Sequence, residues 1–551
     1  MKYLRVWLVL IPTCALLFVG FRNDDLFFQL KKNFTIFGKI YEELATGYVD
    51  PVDPEKLLRK GVNEMMRSLD PYTVFFDEAD NEDAELQMRG GLGTVGAAIG
   101  MREGKVTVVE LLEGYSAAEQ GIRVGDAIIH INGKPTVGQT IREIASLLNG
   151  EPGSALTVGI ERQGETELLS FSLLRKKLEL KNVTHAGFVA DDTTRGIGYI
   201  KLAQFGRDCA REVKEAVLSL KNTNKLKGLV LDLRGNPGGL LDQAIMITSL
   251  FVPEGSPIVS TKGRLATSEQ LVKSAVPPIL PNTPLTILLD RTSASASEVV
   301  SGAIQDLDRG VIIGETSFGK GLVQAVKPLV YNTSMKFTSA KYYTPSGRCI
   351  QALNYSDVDE DGEPVAVPDS LRKSFKTKAG RMVKDGKGID PDLPVKMGTT
   401  TELEQALQRR SAFLFFANQF AANRPTIAAN FDVTDGLLNE FRQWLNSQNF
   451  SYKTKSEKSL EKLQAELTKA GYTRSSSQAQ SLLNQINREK NDDFTRNAPR
   501  LKLLLRLAIL ARYYGPVAQI KAQMVNDPFL SEAEKVIRDT KRYAQILGQK
   551  S

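Results

Sequence analysis

Between residues 194 and 400, apolar runs of strand length alternate with helical patterns. GIGYIKL is followed by CAREVKEAVLSLKN, GLVLDLR, GLLDQAIMITSLF, LTILLD, SEVVSGAIQDL and GVIIGE. Runs such as LTILLD and GVIIGE carry no polar alternation, which is the pattern of strands buried on both faces. Strands separated by single helices are joined by crossovers, and crossovers make neighbouring strands parallel. The chain is thereby held to an α/β core, and such cores place functional groups in the loops after the carboxyl ends of strands. Two of those loops are unusual: DLRGNPGG at 232–239, and RTSASAS, which leads into the helix expected from Ala296.

The flanks differ in texture, and at 551 residues the chain needs several cores. Lys2 and Arg5 precede sixteen uncharged residues, Val6 to Phe21. A basic start followed by an apolar run predicts export, to the periplasm in a cell with two membranes. Residues 6–21 are short for a spanning helix, and no small-residue cleavage site follows, so removal and retention as an inner-membrane anchor are equally open. Residues 26 to 82 show helical spacing, ending in LDPYTVFF with its Asp-Pro turn. From 83 to 178 short β runs (KVTVVELL, DAIIHINGK, ALTVGIER, ELLSFSLLR) surround one amphipathic helix, TIREIASLLNG. After 400 the pattern is helical to the end, broken by the small polar stretch TRSSSQAQ. The organisation expected is therefore 1–22 signal or anchor, 23–82 helical segment, 83–178 β module, 179–400 α/β core and 401–551 helical domain. Residues 401–551 hold 23 Lys+Arg against 15 Asp+Glu. A solvated helical surface accounts for that excess, and an anionic membrane or cell-wall contact is the alternative. A homo-oligomer contact through this helical domain is the other role open to its apolar stripes, besides an internal core. Outside the leader only Cys209 and Cys349 occur, and they form no metal-ligand spacing.

The residue inventory limits the chemistry. The only histidines are His130, in the β module, and His185, between the module and the core. Neither neighbours the two unusual loops, so a Ser–His–Asp triad or a Cys–His pair has no local base, and no HExxH zinc site exists. If the chain hydrolyses anything, lysine is the remaining base. A lysine serves only when neutral, so its pKa must fall from about 10.4 to roughly 7–8, a bias of roughly 3–5 kcal/mol. Desolvation supplies that bias, and Lys320 in SFGKGLV, among glycines and apolar residues, fits. A nucleophile needs a fixed backbone and a hydroxyl open to substrate. The turn between LTILLD and the next helix offers both, and free N–H groups at a helix start stabilise an oxyanion. Ser293, Ser295 and Ser297 are all candidates by this reasoning, and each could equally be an N-cap.

Two resemblances narrow the reading. GYSAAEQGIRVGDAIIHINGK resembles the signature of a PDZ domain, which captures the end of an extended chain as an added strand. The resemblance implies that a terminal carboxylate meets backbone N–H groups near Leu92, Gly93, Thr94 and Val95. SASASE, GAIQD and GETSFGKGLVQ, with DLRGNPGG, SLDPYTVFF, KYYTPSGRCIQ and GIDPD, resemble the carboxyl-terminal processing (tail-specific) serine peptidases over residues 35–395. That family implies an α/β core of the ClpP/crotonase-like type with an inserted PDZ domain, an N-terminal helical segment and a C-terminal all-helical extension. It implies a Ser–Lys dyad oriented by a glutamine, the serine 25 residues before the lysine and the glutamine four after it. Those spacings fall on Ser295, Lys320 and Gln324. The implied oxyanion hole joins the Ala296 N–H to that of Gly238 or Gly239. Asp232 and Arg234 are expected to be an ion pair or turn fixtures, and Glu298 a first-turn acid of its helix. No cofactor, metal or nucleic acid is implied, and the partners would be exported proteins with unstructured apolar C-termini.

Two rival readings have a foothold. GETSFGKG is one residue short of a phosphate-binding P-loop: Gly321 replaces the Ser or Thr, and the following GLVQAVKPLV reads as a strand where a helix is required. A non-catalytic PDZ scaffold with a degenerate protease fold is the second, opposed by the intact Ser295, Lys320 and Gln324.

Overall fold

The computed structural model describes residues 26–78 and 93–549, apart from 103, 113, 163–164, 178–180, 265, 360–363, 397, 399, 425 and 429. The apolar run at 6–21 and Leu92 lie outside the described residues. Two compact units are formed. The first comprises described residues up to 78 together with 324–338, and the second comprises 93–323 together with 339–549.

In the first unit residues 26–47 are helical, and a second helix, Pro54–Arg67, begins behind Asp53, whose side chain accepts from the Lys56 N–H. The Asp-Pro turn then forms around Asp70, whose carboxylate accepts from the N–H groups of Tyr72 and Thr73, each at 2.8 Å. Val74–Phe76 runs antiparallel to Ser334–Lys336.

The second unit begins with the small β module. Strands β1 (Ala97–Arg102), β2 (Lys105–Leu111), β3 (Ala127–Ile131), β4 (Ala155–Glu161) and β5 (Leu169–Leu174) pair antiparallel in that order. Helix α1 (Ile141–Leu148) starts with a capping box of Thr140 and Glu143 and buries Ile144 and Leu148 in the module's core. Among the described residues β1 is an edge strand, paired only with β2.

The core sheet has six strands in the order β6 (Val183–Phe188), β7 (Ile197–Leu202), β8 (Gly228–Asp232), β9 (Leu285–Leu289), β10 (Val311–Gly314) and β11 (Leu393–Pro394). All neighbours from β7 to β11 are parallel, and β6 is antiparallel to β7. The period-two geometry of strands explains the unbroken apolar runs. Leu229, Leu231, Ile287, Leu289 and Ile312 pack beneath α2 (Cys209–Lys221), α3 (Leu241–Ser249) and α4 (Ala296–Asp306). The intervening Val230, Leu288, Val311 and Ile313 face the other way, onto α5 (Pro528–Arg538).

The helical extension expected over 401–551 is helical from Glu402 to Ile546, and its packing divides between two cores. Residues Leu403 to Ile509 build a core of their own, rich in Phe413, Phe416 and Phe441. Met524, Phe529, Leu530, Ala533, Val536, Ile537 and Leu547 instead complete the α/β core. The strand pattern demanded a cover for both faces, and three helices from within the core span supply only one. One expectation is corrected: TRSSSQAQ, expected as a break, forms the first half of a helix, Thr473–Lys490. Its weak helix formers are held by a neighbour, Lys455–Lys469, through bonds from Gln464 to Gln480 and between Thr468 and Ser476, 2.8 Å each.

Candidate active site

Because β8, β9 and β10 are parallel, their carboxyl ends lie on one edge, and the three loops that follow converge there. These loops are 233–239, 290–295 and 315–321. Tethers join them. The N–H of Gly235 donates to the Asp290 carboxylate, the Ala294 N–H donates to the Asn236 carbonyl, and the Phe318 N–H donates to the Ser293 carbonyl.

The serines separate by environment. Ser293, Ser297 and Ser301 are wholly buried, and their hydroxyls donate to the carbonyls of Leu233, Asn236 and Ser297 respectively. Those three are fixtures of the fold. Ser295 is partly exposed at the start of α4, with φ +56° and ψ −113°, a left-handed conformation rare for a residue with a side chain. Ala296 is the first helical residue, so its N–H lacks an acceptor within the helix.

What holds Ser295 in that conformation is Glu298, which is wholly buried. Its Oε2 accepts the Ser295 N–H at 2.7 Å and the Lys320 N–H at 2.9 Å. Its Oε1 accepts the Gly319 N–H at 2.7 Å and the Ser317 hydroxyl at 2.5 Å. The backbones of Ser295 and Lys320 thus meet on a single oxygen atom. Burial pushes the Glu298 carboxyl above its usual range, while the donors from Ser317, Gly319, Lys320 and Ser295 pull against that shift.

Lys320 is half-buried, and its peptide units are fixed on both sides. Its carbonyl accepts from the Tyr342 hydroxyl, and the Gly321 N–H donates to Gln351 Oε1 at 2.8 Å. Gly319 has φ +89°, and a Cβ there would lie 2.4 Å from that of Ala352, so only glycine fits. The segment that continues from this loop forms the strand Leu322–Pro328, as its sequence predicts. Gln324 lies on it, in the other compact unit, with its amide nitrogen buried and no hydrogen-bond partner among the described residues.

The loop after β8 presses directly on the serine. A Cβ on Gly238 would stand 2.7 Å from the Ala294 carbonyl oxygen, 2.8 Å from the Ser295 Cβ and 3.0 Å from the Ala296 nitrogen, and Gly238 has φ +101°. Its N–H donates to Asn236 Oδ1 at 2.9 Å. Gly239 is bridged to Phe205 of the neighbouring segment. Asp232 and Arg234 form a buried ion pair at 2.6 Å, as expected. Burial alone would raise the Asp232 carboxyl, but Arg234 and Lys201 outweigh it and hold the group well below the usual range.

In the β module, two of the described loop residues expected to grip a carboxylate, Gly93 and Thr94, are already paired within the module. The Gly93 N–H donates to the Gly150 carbonyl at 2.7 Å, Gly93–Thr94 pair with Lys176–Lys177, and Val95 is wholly buried. Among the described residues β1 and β5 are the two edges of this sheet, and β1 is the one that contacts α1.

Comparison with known proteins settles the family. Residues 196–361 match the model of peptidase family S41, residues 107–162 that of a PDZ domain, and residues 403–537 that of a C-terminal helical domain of probable PDZ-proteases. The chain is 38% identical to a carboxy-terminal-processing protease of Bartonella bacilliformis over 58% of its own length and 73% of the relative's.

The chain belongs to the carboxy-terminal processing serine peptidases of family S41.

A second relative, carboxy-terminal processing protease CtpB of Bacillus subtilis, is 31% identical over 57% of this chain and 64% of its own. Among solved structures, a photosystem II D1 C-terminal processing protease is 26% identical with a TM-score of 0.37, covering 65% of this chain and 86% of the other. The S41 match spans β7 to β10 and all three convergent loops. The family spacing points to Ser295 and Lys320, and Glu298 is the first-turn acid expected of it, with further bonds to Ser317, Gly319 and Lys320 that were not expected. The S-x-x-E pattern of Ser295 and Glu298 was the available signal. Nothing local marked the reach of that carboxylate to Gly319 and Lys320.

Proposed function

We propose that the chain is a serine endopeptidase that cleaves exported proteins at or near their C-terminal tails, using Ser295 as nucleophile and Lys320 as base. The observation that carries this reading is the Glu298 carboxylate, which ties the backbones of these two residues together on Oε2 while the neighbouring serines are buried and engaged. The core, a mostly parallel sheet between helical layers, is in keeping with a ClpP/crotonase-like architecture. Residues 6–21 would direct export.

In the proposed reaction neutral Lys320 takes the hydroxyl proton as the Ser295 oxygen attacks the scissile carbonyl carbon. The oxyanion receives the Ala296 N–H and a second from the 238–239 loop. Gly238 is the glycine against Ser295, and its N–H is the one a substrate oxygen would compete for with Asn236 Oδ1. Lys320 then protonates the leaving amine, and water, deprotonated by the same lysine, hydrolyses the ester. Gln324 would orient the lysine amine without altering its charge. The position of β1 at the edge of its sheet among the described residues, in contact with α1, supports capture of an extended apolar tail as an added strand.

The test is cleavage of a protein with an unstructured apolar C-terminus. Ser295→Ala should bind it and leave it whole. Lys320→Arg should also be inactive, since a guanidinium does not become a base near neutrality. Turnover surviving either substitution would overturn the assignment.

A further inference from the structure

The loop that presses on Ser295 is held from an unexpected direction. Arg234, the third residue of DLRGNPGG, places its guanidinium between two carboxylates. Nη2 lies 2.6 Å from Asp232 Oδ2 and 2.6 Å from Oδ2 of Asp527, which is 293 residues away at the head of α5. The other oxygen of Asp527 caps that helix, accepting the N–H groups of Phe529 at 2.9 Å and Leu530 at 3.3 Å. Phe529 lies under the guanidinium, 4.9 Å from ring centre to Cζ. The cluster is closed by Tyr199, whose hydroxyl donates to Asp232 Oδ2 at 2.7 Å, and by Lys201, whose amine lies 3.2 Å from Asp232 and donates to the Arg234 carbonyl. Two carboxylates and two cations are therefore balanced around one backbone segment. From that segment Gly235 and Asn236 lead to Gly238 at the Ser295 Cβ.

We propose that Asp527 is a positioning residue for catalysis: through Arg234 it fixes the 233–239 loop against Ser295, so that the peptidase site is complete only when α5 is docked on the core sheet. Without the Asp527 charge the cluster carries an excess positive charge in a buried place, and Arg234 retains a partner on one side only. The residue touches neither substrate nor the reacting atoms. The proposal rests on the Ser295 peptidase reading for its kinetic consequence but not for its structural one.

Asp527→Asn separates the two duties of the side chain, because asparagine caps a helix as well as aspartate but presents no charge to Arg234. In the full-length chain the substitution is expected to lower kcat at least tenfold with KM changed less than twofold. Asp527→Glu should recover part of the loss. In an Arg234→Gln background Asp527→Asn should have no further effect, because the pathway is already cut. Amide hydrogen exchange at 233–239 should speed up at least tenfold in Asp527→Asn while the β8 and β9 amides stay protected, whether or not a substrate is present. Should Asp527→Asn fail to fold, Asp527→Ser, which also caps but leaves room for water beside Arg234, carries the same expectations. An unchanged kcat with unchanged exchange in the loop would overturn the proposal, as would losses from Asp527→Asn and Arg234→Gln that simply multiply. If wild type cleaves nothing but exchange in the loop responds as stated, the peptidase reading fails and the positioning contact stands.

Discussion

Replacing Glu298 by glutamine removes one charge and almost no volume, so its effect isolates what the carboxylate does. Four donors converge on it, from Ser295, Ser317, Gly319 and Lys320. An amide offers one accepting oxygen. If that oxygen replaces Oε2, the new NH2 group faces the Ser317 hydroxyl, which can turn to accept, and the Gly319 N–H, which cannot. If it replaces Oε1, the NH2 group opposes the N–H groups of both Ser295 and Lys320. One or two buried N–H groups therefore lose their acceptor, at about 1–3 kcal/mol each. A total of roughly 2–4 kcal/mol corresponds to a fall in Tm of about 5–10 °C for a domain of this size. Catalysis should suffer more, because the lost bonds belong to the residues proposed to react, and a displacement of about 1 Å costs on the order of 100-fold. Thermal unfolding and steady-state cleavage of an apolar-tailed peptide read the two effects, with KM near wild type. A Glu298→Gln enzyme with native Tm and a kcat within about twofold of wild type would refute the reasoning.

Other perturbations test other links. Phe529→Ala empties a wholly buried site under the core sheet. It should cost about 3–5 kcal/mol in chemical denaturation, although it lies more than 230 residues beyond Ser295. Gly238→Ala forces a methyl group into the Ala294 carbonyl and the Ser295 Cβ, and should abolish cleavage while far-UV circular dichroism stays native. Acid stability follows from Asp232, whose folded-state pKa is held below its unfolded value near 3.8. Its contribution is complete above about pH 5 and is lost as the pH falls through the ordinary aspartate range toward the folded value. Unfolding free energy measured from pH 6 to pH 3 should therefore decline on acidification, and Arg234→Gln should start lower and decline less steeply.

The α/β core was legible because its strands are buried on both faces, so runs such as LTILLD betray their environment without any partner being known. The same runs required a cover for the second face, but no local pattern named it. Met524 to Leu547 looks like any amphipathic tail until Val230, Leu288 and Ile313 are seen against it. In the sequence, Ser295 differs from its neighbours only by its spacing from Lys320 within a family pattern. The physical distinction, that Ser293 and Ser297 are sealed by bonds to Leu233 and Asn236, depends on a loop some 60 residues earlier in the chain. Glu298 and Asp527 share that difficulty: each has a local duty at a helix start that explains its presence, and a second, distant partner that no periodicity encodes. TRSSSQAQ failed in the opposite sense, because its low propensity is overridden by an adjacent helix.

The central claim is that one hydroxyl, that of Ser295, becomes nucleophilic through Lys320. Intact-protein and peptide mass spectrometry after treatment with a serine-acylating peptide reagent tests it most directly. The account predicts a single adduct on Ser295 in the wild-type chain, strongly reduced in Lys320→Arg. An adduct on Ser293, Ser297 or Ser301, or one on Ser295 that forms equally fast in Lys320→Arg, would contradict it.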